Sequence, residues 1–295
     1  MNVVSTSLFT DHARYQPYLS AALRAHHNLF RGWTYRIYHD HLVYDGPYGE
    51  ALRRLEARGL VEMCFVSDDA AIERAMLWRV FLPLWDLRVE RFIVRDIDMV
   101  ASFRERRAVE EWIRSGLPAH SMSDRRGHHD WPAINGMLGF TPEVRELLDA
   151  GSGRTADTLE KLFARAGWPE SVWRSNYRAS GPGADPKNRV CASTTNNQFF
   201  LGIHVWPFVQ KHALEHRLSG CPTFGAAQSR QGVADFPGED LGVSAAIREQ
   251  SDALIPFIGA SRANSDIDLD RIVEFYREHG DADIERAISE CEAGA

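Results

Sequence analysis

From residue 2 to about residue 140, short apolar runs alternate with amphipathic segments, and that alternation restricts the chain to few folds. Apolar runs too short for buried helices, separated by stretches of helical period, are the pattern of βαβ units around a mostly parallel sheet. The runs are NVVSTSL (2–8), TYRIYH (34–39), VEMCFVS (61–67), FIVRD (92–96) and AHSMS (119–123). Helices are predicted between them. One opens at Ser67, an N-cap followed by Asp68 and Asp69 where the helix dipole favours acids, and carries Ile72, Ala75, Met76 and Arg79 on one side. Another covers 104–116 and stops at Gly116; a third opens with Thr141-Pro142 and closes at Gly151. Further on, a helical run from about 196 to 210 leads to Trp206-Pro207. In the tail, Leu269, Ile272, Val273 and Tyr276 stand at i, i+3, i+4, i+7, which predicts a packed terminal helix.

With 295 residues and 44% hydrophobic content, the chain can bury a full core as one large domain with insertions. The net charge of -7 and the lack of any Lys/Arg-rich run argue against nucleic acid or an acidic membrane surface as partner, and point to a small ligand. The cysteines, Cys64, Cys191, Cys221 and Cys291, are scattered without metal spacing and read as free thiols. The start, MNVVSTSLF, is too short and polar for a signal peptide, and no apolar stretch approaches the ~18 residues of a membrane span. A cytoplasmic protein without a transmembrane segment is expected.

Residues 167–193 break the pattern, being rich in Gly, Pro and aromatics with no clear period. A loop of this length inside a compact domain is usually functional or disordered. Trp168, Trp173 and Tyr177 either present aromatic faces to an amphipathic ligand or cover core.

The chemistry-bearing feature is RFIVRDIDMV (91–100), an apolar run that ends in two aspartates one residue apart. Side chains alternate across a strand, so Asp96 and Asp98 share a face just past Phe92, Ile93 and Val94, and two like charges so placed repel unless a cation sits between them. Mg2+ or Mn2+ fits, since hard ions prefer carboxylate oxygens and keep positions open for phosphates. The alternative is a solvated loop. In open α/β sheets ligands bind at the carboxyl ends of the strands, where Ser5, Thr6 and Ser7 also fall, as nucleotide contacts or as ordinary turn residues.

The stretch 78–124, with RDID at a strand end, RERRAVEEW on the following helix and a short strand ending in Asp124, resembles bacterial glycosyltransferases of the GT-A type. INGMLGF, NNQFFLGIHVWPFVQ and ALEH resemble their GGMWG-like turn, DQxFL...WP segment and later ALxHD. The likeness runs from about residue 2 to 258, interrupted by the 167–193 loop, and its order of motifs is also similar to that of family-8-like retaining transferases. It implies a GT-A, Rossmann-like α/β fold with a mixed, mostly parallel sheet flanked by helices. The transferase domain would be 1–260, with 167–193 as an acceptor-side insertion and 261–295 as a C-terminal helical extension. The implied activity is metal-dependent transfer of a sugar, from a UDP- or GDP-sugar to an unidentified small-molecule, glycan or peptide acceptor, with retention.

Carried over by residue, the resemblance implies Asp96, Asp98 and His216 as ligands of Mn2+ or Mg2+. Ser5, Thr6, Ser7, Arg79 and Asn135 would contact the donor, and Gln198 and Asp124 would be catalytic. Each has a plain reading beside it: Arg79 pairing with Asp68 or Asp86, Asp124 capping a turn, Asn135-Gly136 forming a tight turn, His216 as a surface histidine. Two positions depart from the pattern, Asn197 where an Asp precedes Gln and Arg217 where the bacterial group has Asp. Two other functions compete. DIDMV also fits HAD-like phosphatases, with Asp96 as nucleophile, but these need a catalytic Lys, and Lys161, Lys187 and Lys211 stand in no matching context. Asn197 suggests instead a non-catalytic nucleotide-sugar-binding protein.

Overall fold

The computed structural model describes residues 1–9, 15–46, 48–66, 71–123, 134–152, 201–217, 227–229, 243–255 and 267–293. Its strands are β1 (Asn2–Leu8), β2 (Thr34–His39), β3 (Glu62–Phe65), β4 (Arg91–Val94), β5 (Ala119–Ser123), β6 (Leu138–Phe140), β7 (Ala213–Arg217) and β8 (Ala227–Ser229). They form one mixed, mostly parallel sheet in the order β3-β2-β1-β4-β6-β5-β7-β8, with β6 antiparallel to both neighbours. The expected α/β class, a mixed sheet flanked by helices, is observed.

β1, β2 and β5 fall on the residues predicted from the apolar runs. β4 ends at Val94, two residues earlier than its run suggested. Its last three residues are fully buried and pair with β1 and β6, but Arg95 then bonds back to Ser5 O at 3.0 Å and the chain turns. The strands β6 and β7 come from sequence read as turn and motif. A three-residue strand and a five-residue one are too short to show a period.

The helices are α1 (Gln16–Leu29), α2 (His41–Asp45), α3 (Gly49–Ala57), α4 (Ala71–Trp85), α5 (Phe103–Ser115), α6 (Glu143–Ser152), α7 (Ala245–Leu254), α8 (Leu269–His279) and α9 (Ala282–Ala293). α5 is closed at both ends as its sequence predicts. The Ser102 hydroxyl accepts from Glu105 N, and Gly116 takes the left-handed conformation at φ 67°. Residues 201–212 form a short irregular helical run.

Alternation along the strands splits the core in two. On one face Val4, Ile37, Ile93, Met122 and Leu214 pack against α1, α3, α5 and the C-terminal helices. On the other Val3, Phe92, Val94, Leu138 and Phe140 pack against α4 and α6. The C-terminal helices are tied down by charge as well as by Ile272, Tyr276 and Ile288. Arg24 of α1, fully buried, meets Glu285 at 2.7 Å and Glu292 at 2.8 Å on α9. Guanidinium forks suit such paired carboxylates. Cys64 and Cys291 are free thiols, and among the described residues no helix is long and apolar enough to cross a membrane.

Candidate active site

The strand order places a topological switch between β1 and β4: β1 leads outward to β2 and β3, and the chain then returns to β4 on the other side of β1. The crevice outside the carboxyl ends of two such strands is where open α/β sheets bind ligands. The turn of residues 95–98 lies there. Ile97 is buried in the core and anchors it, leaving Asp96 and Asp98 on either side half-buried. Met99 N bonds to Asp96 O at 3.1 Å and closes the turn. The two carboxylates therefore come from a turn, not from successive positions on one strand face.

Three predicted residues meet at this point. Arg79, on α4 and 2% exposed, makes an ion pair with Asp96 Oδ1. It also donates from Nη1 to Arg95 O at 2.8 Å, and from Nε and Nη2 to Asn135 Oδ1 at 3.3 and 3.1 Å. Of the alternatives, Asp86 pairs instead with Arg36 and Arg88, and Asp68 lies outside the described residues. Gly136, beside Asn135, has φ 105°, and a Cβ there would lie 2.9 Å from Asp96 Oδ2. Only glycine allows this carboxylate to lie against the turn. The Asp96 side chain stays 28% exposed, so one oxygen is fixed by Arg79 while the carboxylate still reaches the crevice.

Arg95 was not singled out in the sequence, yet it fastens the floor of the site. It is 1% exposed and bonds Glu105 on α5 at 2.6 Å and the carbonyls of Gly136 and Leu138 at 3.4 Å. A charged residue directly after the apolar run Phe92–Val94 was the available signal. Tyr35 is also buried near Asp98 and Arg79; burial pushes its phenol well up, and Asp98 adds to this.

Other expectations need correction. Ser5 and Thr6 are fully buried, and their hydroxyls donate to backbone carbonyls, Ser5 to Arg79 O at 2.6 Å and Thr6 to Arg36 O at 2.9 Å. They join β1 to its neighbours and do not face a ligand; Ser7 is half-buried. His216 is neither a surface residue nor joined to the aspartates. It is fully buried on β7, with Nδ1 2.8 Å from His120 Nε2 and Nε2 2.6 Å from Glu111. Three strand steps, roughly 14 Å, separate β7 from β4. Among the described residues no group of three or more His, Cys, Asp or Glu is arranged to hold a metal. The three-ligand set Asp96, Asp98, His216 is not formed. Two carboxylates nonetheless fit Mg2+ or Mn2+, which commonly bind to one or two carboxylates, with water and substrate phosphates completing the shell.

Lys211 is exposed just before β7, at the amino end of the sheet, opposite the end that carries Asp96. It does not complete a phosphatase site. Asp124, Gln198, Asn197 and the 167–193 loop lie outside the described residues.

No family model matches the chain, and no curated protein matches it. Among solved structures, it is similar to S. aureus TarS 1-349, with 6% identity, a TM-score of 0.37 and coverage of 51% of this chain and 49% of that one. The chain thus matches about half the length of that structure. It is also similar to the mannosyltransferase PcManGT from Pyrobaculum calidifontis in complex with GDP-Man and Mn2+. There the identity is 12% and the TM-score 0.32, over 100% of this chain and 74% of that one. At TM-scores of this size neither likeness bears on what the chain does.

Proposed function

We propose that the chain is a metal-dependent glycosyltransferase that moves a sugar from a nucleoside-diphosphate sugar to an acceptor hydroxyl. The observation that carries this reading is the pair of carboxylates, Asp96 and Asp98, half-buried at the switch between β1 and β4 with Arg79 and Asn135 fastened beside them. In the proposal Asp96 and Asp98 hold Mn2+ or Mg2+, which neutralises charge on the leaving diphosphate. Arg79 keeps Asp96 in place, and Gly136, lacking a Cβ, lets the Asp96 carboxylate lie against the turn. In the proposal Ser7, half-buried near the end of β1, contacts the donor.

For the chemical step the proposal keeps Gln198 behind the anomeric carbon, an amide that stabilises developing positive charge while the leaving phosphate takes the acceptor proton. Retention follows. NMR of the fresh product from an α-linked donor tests it: a β-linked product would move the catalytic role to Asp124 as general base.

The test of the whole reading is calorimetry with UDP and GDP, with and without Mn2+, followed by assay of sugar release from the matching donor. Metal-dependent binding that Asp98→Asn abolishes, with the melting temperature retained, is expected. Binding and turnover indifferent to EDTA, or unchanged in Asp98→Asn, would overturn it.

A further inference from the structure

At the outer edge of the sheet, a second cavity of about 500 Å3 opens beside β2 and β3, lined by His39, His41, Tyr44, Asp45, Glu56, Met63 and Phe65. That volume lies within the roughly 300–1,000 Å3 of small-molecule sites. Its location follows from the chain's local chemistry. Asp40 caps α2 by accepting from Val43 N at 3.0 Å, and the short helix brings Tyr44 back over His39, with ring centroids 5.5 Å apart and planes 13° from parallel. The Arg53 guanidinium lies 5.0 Å over the Tyr44 ring. Phe65, the last residue of β3, stands against His39 edge to face at 6.1 Å.

Phe65 is 61% exposed, and Tyr44, which lines the same cavity, is 36% exposed. Leaving such rings and side chains in water forgoes burial that elsewhere stabilises a core. A cluster of them around a concavity marks a binding surface more than a scatter of single residues does. The polar groups narrow the ligand. Glu56 is held in place by accepting from Met63 N at 2.9 Å, and Asp45 stands at the rim. Ionised carboxylates only accept hydrogen bonds and repel phosphate. An open aromatic face flanked by two carboxylates and by imidazoles that can both donate and accept suits a ligand with a C–H face and many hydroxyls.

We propose that this pocket binds a neutral saccharide, its ring stacked on Phe65 and its hydroxyls donating to Asp45 and Glu56. The pocket runs from His39 on β2 to Phe65 on β3, so it stands two to three strand steps, roughly 10 to 14 Å, across the sheet from β4 and the Asp96 turn. It is a second site, not part of the aspartate crevice.

The test is saturation-transfer NMR on the full chain with maltose, cellobiose and N,N'-diacetylchitobiose as probes, without metal or nucleotide. At least one probe is expected to bind, to lose about tenfold in affinity in Phe65→Ala and to keep it in Phe65→Trp. Phe65 is exposed, so Phe65→Ala is expected to keep the parent melting temperature; Asp45→Asn, at the rim, is a second variant expected to weaken binding. The proposal is overturned if none of the three probes binds, if binding survives Phe65→Ala unchanged, or if UDP or GDP with Mn2+ displaces the sugar. The last result would give the pocket to the base of the nucleotide. Sugar binding is read without metal or nucleotide, which enter only in the displacement step, so absence of sugar binding leaves the transferase reading standing, and failure of that reading leaves this one intact.

Discussion

Arg79 and Asn135, 56 residues apart in the chain, are joined by two hydrogen bonds from one edge of the guanidinium onto a single amide oxygen, at 3.3 and 3.1 Å. The same guanidinium pairs with Asp96, so α4, the turn after β4 and the turn before β6 are locked together by one buried side chain.

Arg79→Met is therefore expected to lower stability by about 3 kcal/mol, the lower end for breaking a buried pair, because Asp96 keeps some contact with water. Urea unfolding measures it. Arg79→Lys restores the charge but not the fork, and less than half of the loss is expected to return. Equal stability of Arg79→Lys and the parent would show that charge alone does the work.

Gly136→Ala and Gly116→Ala separate close approach from backbone preference. Both glycines have positive φ, 105° and 67°, but nothing lies within 4 Å of a Cβ at Gly116, whereas at Gly136 it meets Asp96. Gly116→Ala is expected to cost about 1 kcal/mol. Gly136→Ala is expected to cost about 3 kcal/mol and to displace the Asp96 carboxylate, which metal-dependent nucleotide binding would register. Equal costs in the two variants would contradict the crowding at Asp96.

Several histidines make the fold sensitive to acid. Burial lowers His26 to about 3 and also lowers His27. Burial, then His216 and Arg95, hold His120 well below the usual range. Each is kept neutral when folded but takes up a proton near about pH 6.5 once unfolded, so its stabilisation is complete above that pH and is lost as pH falls toward the folded value. His26→Gln is expected to flatten the dependence of unfolding free energy on pH by up to about 1.4 kcal/mol per unit between about pH 6 and about pH 4. An unchanged slope in urea titrations would show that His26 is protonated in the folded protein.

His216→Gln distinguishes a metal ligand from a buried relay. With its two nitrogens engaged by His120 and Glu111, its loss is expected to lower the melting temperature yet leave Mn2+-dependent nucleotide affinity within about twofold. A loss of metal dependence in this variant would return His216 to the ion.

The sequence alone determined the alternating architecture and much of its placement. Buried strands such as β1 and β2 announce themselves as apolar runs, and α5 carries its own cap at Ser102 and its own stop at Gly116. The convergence of Arg79, Asp96 and Asn135 was indicated only through motif order. Ser5 and Thr6 looked like a strand end open to ligand, but helix α4 and strand β2 took up their hydroxyls as donors to the Arg79 and Arg36 carbonyls. His216 carried no local mark of burial; the parallel pairing of β5 with β7 set it beside His120, and α5 supplied Glu111. Local sequence governs which backbone conformation a segment prefers, through burial period and capping that act within a few residues. Which polar side chains are left to face a ligand depends on partners 56, 96 or 105 residues away, and those are chosen only when strands pair and helices pack.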